Sequence, residues 1–93
     1  MGIQVSRKLT PAQIEAIERA FHDWNYIVRN NKLPRSQEEV LSSLGISHHY
    51  VGRNGGKSVV LEYGGNSRRL ASNLPSDVIT RKVISFYKEF VNS

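Results

Sequence analysis

The stretch "SQEEVLSSLGISHHYVGR", residues 36–53, constrains the chain more than any other, because a single glycine divides two short apolar segments. Ser36 followed by Glu39 has the form of a capping box, and Val40, Leu41 and Leu44 supply the buried face of a helix that must end before Gly45. Gly45 suits the left-handed residue that closes a helix, and Ile46 is placed to plug the angle behind it. Ser47 is a natural N-cap for a third helix, with Val51 as its staple partner. The pattern therefore predicts two short helices meeting at a corner.

Upstream, "LTPAQIEAIERAFHDWNYIVRN" opens with Thr10 as N-cap, Pro11 at the first helical position and Gln13 three residues after the cap. Leu9 and Ile14 occupy the two positions of a hydrophobic staple. Ile14, Ile17, Phe21, Trp24 and Val28 then recur at spacings of three and four, which predicts one apolar stripe on a helix of about five turns. Asn30 or Asn31 can take the left-handed cap, and Pro34 bars continuation. Residues 1–9 show no periodicity and read as an arm, so residues 10–93 make one domain.

Downstream, "KSVVLEYGGNSRRLAS" alternates Val59, Leu61 and Tyr63 on one face with Val60 and Glu62 on the other. It then turns through Gly64, Gly65 and Asn66, and Ser67 to Ala71 form the expected return strand. In "LPSDVITRKVISFYKEFVNS", Ser76 is the expected cap and Asp77 complements the helix dipole. Ile79, Val83, Phe86 and Phe90 form a stripe widened by Ile84, Tyr87 and Val91. So broad an apolar arc suits packing on the first helix with a remainder for a twin subunit. The predicted class is α+β: mostly helical, with a small β-hairpin and a C-terminal packing helix.

Thirteen Lys and Arg against eight Asp and Glu leave a net charge of +5, a balance that favours polyanionic partners because neutralised phosphates release counterions. Here a resemblance bears on function. Residues 36–53 resemble the helix-turn-helix of bacterial and phage transcription regulators, in which a T-Q-E-E-L-A-x-x-L-G-I-S-x-x-x-V-S-R run is common. The resemblance implies that Val40, Leu44, Ile46 and Val51 are buried pins and Gly45 the turn. It implies that Ser47, His48, His49, Gly52 and Arg53 face the major groove or its phosphates. Leu41 stands where the family has a small alanine, and Gly52 followed by "NGG" shortens the third helix to barely two turns. The hairpin that follows resembles the wing of winged-helix proteins, and the resemblance puts Arg68 and Arg69 beside its tip, where positive charge meets DNA backbone. Lys57 joins this basic set. The expected function is sequence-specific duplex DNA binding by a dimeric transcription regulator. The rival expectation is a small protein-interaction module, of the phage inhibitor or adaptor type, using the same surfaces on a protein partner.

Catalysis is not expected from the sequence. There is no cysteine, hence no disulfide, thiol nucleophile or zinc knuckle. His22, His48 and His49 lack acidic neighbours at metal spacing, so neither metal nor other cofactor is anticipated. "GRNGGKS" lacks the G-x-x-x-x-G-K spacing of a phosphate loop. No apolar run approaches the roughly 20 residues that span a bilayer, and the start lacks a signal peptide's apolar core, which together predict a cytoplasmic or nucleoid-associated protein. "MGIQVS" fits the N-myristoylation pattern at Gly2 with Arg7 and Lys8 behind it, the basis of a third reading as a peripheral membrane protein.

Overall fold

The first helix starts where the sequence places it. In the computed structural model, which describes residues 8–24, 32–52 and 57–91, helix α1 runs Pro11–Ala20 behind the N-cap Thr10. The Thr10 hydroxyl accepts from the Gln13 amide at 3.1 Å, and the Gln13 side chain accepts from the Thr10 amide at 2.8 Å. Two of the helix's orphan donors are thereby satisfied. The helix does not run on as one α-helical rod: it tightens into a 3₁₀ turn at Phe21–Asp23. Side chains three apart eclipse one another in such a turn. Phe21 and Trp24 accordingly sit with ring centroids 6.1 Å apart, both buried, and the Trp24 indole donates to the Ala71 carbonyl at 3.0 Å. Val28, Asn30 and Asn31 lie outside the described residues, as does the Gly2 motif.

Helix α2 spans Arg35–Ser43 with Pro34 as its N-cap residue, two positions earlier than the expected Ser36. This shift undoes the predicted capping box. Ser36 falls inside the first turn, and the Glu39 carboxylate turns instead to Arg35 at 3.1 Å. The buried face holds Leu41 and also Gln37, whose amide nitrogen donates to the Ala20 carbonyl at 2.9 Å and ties α2 to the end of α1. The corner at Gly45 is a Schellman motif: the Gly45 amide donates to Ser42 O at 3.0 Å and the Ile46 amide to Leu41 O at 2.9 Å. Gly45 has φ +78° and Ile46 is buried, as the sequence indicated.

Beyond the corner the chain departs from the expectation. Ser47–Val51 is not a third helix but strand β1, antiparallel to β2 (Ser58–Tyr63), which pairs in turn with β3 (Asn66–Ala71). Residues 47–51 therefore supply no recognition helix, and the helix-turn-helix expected over residues 36–53 is not formed. The physical reason is twofold. Gly52 has φ +113°, outside the right-handed helical region, and would interrupt a helix one turn after its start. The β2–β3 hairpin offers a free edge that residues 47–51 satisfy in the register Ser47↔Glu62, His49↔Val60, Val51↔Ser58. A two-stranded hairpin is marginal in water, and a third strand with an apolar face makes it stable. The β2–β3 turn is the predicted Gly64–Gly65 pair, both at positive φ, with Tyr63 facing Asn66 and the return strand starting at Asn66 rather than Ser67.

The last helix, α3 (Ser76–Phe86), starts behind Pro75 as N-cap residue instead of Ser76 and closes in a π turn at Tyr87–Val91. Ile79, Val83, Phe86, Tyr87 and Val91 are buried and complete a core with Ile17, Phe21 and Trp24 of the first helical segment and Val59, Leu61 and Leu70 of the sheet. The architecture is a small α+β fold, with the three-stranded sheet covered on one face by the helices.

Tyr50 ties this cover to the sheet, because its hydroxyl accepts from the Leu33 amide at 2.6 Å. Tyr50→Phe keeps the ring and deletes the acceptor. It should lower stability by about 1 kcal/mol, the net worth of an ordinary hydrogen bond, measured by urea unfolding. A midpoint equal to that of the parent protein would show that the contact contributes nothing.

Candidate nucleic-acid interface

Strand alternation sorts the predicted site residues into two groups, because successive side chains point to opposite faces of a sheet. His48 and Arg68 face the helices. His48 Nε2 stands 3.9 Å from the Glu38 carboxylate of α2, and its ring meets Tyr50 edge-on with centroids 5.6 Å apart. Arg68 reaches α3 and the π turn, donating to Ser85 Oγ at 3.3 Å and pairing with Glu89 at 3.3 Å. Its guanidinium carbon lies 6.0 and 5.9 Å from the ring centroids of Phe86 and Phe90. Neither side chain stands where the expectation put it, on a recognition helix or beside the hairpin tip: His48 and Arg68 lie between the sheet and its helices.

Ser47, His49 and Arg69 occupy the opposite face, and all three are exposed. His49 and Arg69 both lie directly across from Val60, so the three form one row across β1, β2 and β3. Ser47, Glu62 and Ser67 form the neighbouring row. His49 Nδ1 is 3.1 Å from Glu62 Oε1, and the two side chains are 46% and 49% exposed, so both groups remain reachable from solvent. The Arg69 Nε donates at 3.0 Å to the hydroxyl of Ser58, a residue only 2% exposed. Gly52 ends β1, and Lys57 precedes β2 half-buried. Arg53 lies outside the described residues.

Sequence reasoning missed Glu62 and Ser58 as members of this face. The alternation in "SVVLEY" already set Val60 and Glu62 opposite Val59 and Leu61. Pairing Glu62 with His49, however, requires residues 47–51 to be a strand.

The charge on this face is distinctive. Among the described arginines, Arg19, Arg35, Arg68 and Arg81 each meet a carboxylate, Glu15, Glu39, Glu89 and Asp77 respectively. Arg69 instead donates to a neutral hydroxyl, and no carboxylate among the described residues pairs with it. Among the described residues no three His, Asp or Glu side chains gather as a metal-binding set. No helix among them is long and apolar enough to cross a membrane. Comparison with family models, with curated proteins and with solved structures finds no match for this chain.

Proposed function

We propose that this protein binds nucleic acid, and that the contact is made by the sheet face turned away from the helices. The observation that carries the reading is the cross-strand row of His49, Val60 and Arg69, in which an arginine with no carboxylate partner among the described residues is held by Ser58 on the same face as an exposed imidazole. Strands are established readers of nucleic acid, and a guanidinium with free N–H groups suits phosphate oxygens. The overall charge of +5 points the same way. The regulator expectation relied on a recognition helix; with Ser47–Val51 a strand, the role of contact passes to the sheet.

Fluorescence titration of labelled duplex DNA and single-stranded RNA at several salt concentrations tests this. Affinity should fall log-linearly with salt, and Arg69→Ala should reduce the slope by about one. Arg68→Ala should leave the slope unchanged while lowering the melting temperature, because Arg68 serves the α3 contact. Salt-independent binding, or equal slopes for the parent protein and Arg69→Ala, would overturn the proposal.

A further inference from the structure

Val60 lies at the centre of a polar patch on the open sheet face. His49 and Arg69 stand directly across from it on the outer strands, and Glu62 and Ser58 lie two residues to either side along β2, on the same face. These four side chains work in pairs. Glu62 engages Nδ1 of His49, which leaves Nε2 as the ring nitrogen able to take a proton. Ser58 engages Nε of Arg69, which leaves the two terminal nitrogens for an anion. A shallow cleft of about 500 Å³ opens beside Glu62, lined by Gly45, Ser47, Gly64, Asn66 and Ser67, and offers hydroxyl and amide groups to a nucleoside.

A base held by a carboxylate, an arginine on the same face and an adjoining polar cleft are the parts required for general-base attack on a phosphodiester. We infer that this face cleaves RNA, with His49 as the general base, Glu62 as the residue that orients it and Arg69 as the anchor of the phosphate backbone. The inference rests on the proposed nucleic-acid binding and adds a reaction to it. His49 Nε2 takes the proton from a ribose 2′-hydroxyl. The 2′-oxygen forms a bond to the adjacent phosphorus, and the bond from phosphorus to the 5′-oxygen breaks. The 5′-oxygen leaves with the electron pair and is protonated by water, while the imidazolium returns its proton to the resulting hydroxide. The products are a 2′,3′-cyclic phosphate and a 5′-hydroxyl, and no redox partner is involved. DNA, which lacks the 2′-hydroxyl, is bound but not cut.

The test uses the full chain with three end-labelled oligonucleotides of one sequence: RNA, its all-deoxy form and its 2′-O-methyl form. The RNA alone should be cleaved, giving fragments that end in cyclic phosphate. His49→Ala should slow cleavage by about 100-fold or more, the usual range for a general base. Glu62→Gln should slow cleavage and at the same time bind the 2′-O-methyl RNA more tightly, since a carboxylate beside phosphate is removed. A merely structural role would not move the two in opposite directions. Tight binding of 2′-O-methyl RNA with the RNA left intact would overturn the inference and leave the binding proposal standing. So would cleavage at an equal rate by His49→Ala. Failure to bind any of the three would overturn both.

Discussion

Phe86→Ala should lower the free energy of unfolding by about 3–5 kcal/mol, the range for emptying a buried phenylalanine site. Phe86 is fully buried at the end of α3, with its ring 5.0 Å from that of Phe90 and the Arg68 guanidinium over it. Truncation leaves a cavity among core side chains and also strips Arg68 of the surface on which it lies, so the clamp between β3 and the C-terminal turn loosens with it. Phe90, only partly buried, should cost distinctly less as Phe90→Ala. Urea unfolding of both variants against the parent protein measures the difference. A loss below about 1 kcal/mol for Phe86→Ala is incompatible with a fully buried ring.

Gly45→Val should destabilise the domain by about 2 kcal/mol, because a β-branched residue is strained at φ +78°. Space is not the obstacle: a Cβ at position 45 would lie 4.0 Å from the Tyr63 ring, an ordinary contact. The cost is therefore one of backbone conformation, and Gly45→Asn, which tolerates the left-handed region, should recover much of it. Thermal melts of the two variants separate the explanations. Equal losses for Val and Asn would show that the side chain rather than the backbone is at fault. Because the corner aims the chain into β1, Gly45→Val should also weaken any nucleic-acid contact made through His49.

Much of the fold was legible in the sequence wherever the determining interaction is local. The Thr10–Gln13 capping box, the Gly45 corner with Ile46 behind it, the alternation of β2 and the Gly64–Gly65 turn all depend on residues within about five positions of one another. The stripe on α3 was readable for the same reason, since periodicity reports a single helix face. The failure of the Ser36–Glu39 box shows how narrow even local rules are. Pro34 starts the helix two residues early, and both side chains lose the positions that the box requires.

What the sequence by itself determined, then, was the set of local corners and faces: where α1 starts, where α2 stops, which side of β2 is apolar, and the positive charge. Tertiary structure decided what Ser47–Val51 becomes. Five residues are too few to form a helix of their own accord, and the unpaired edge of β2, 7 to 15 residues further on by the register Val51↔Ser58 to Ser47↔Glu62, supplied backbone partners that only a strand can use. Strand pairing sorted the candidate site. The pairing of β3 with β2 sent Arg68 to the helices and Arg69 to the open face, because neighbours along a strand point opposite ways, and the choice at Ser47–Val51 put His49 on that open face. That choice also brought Glu62 to His49, since a cross-strand contact depends on register between segments rather than on spacing within either one.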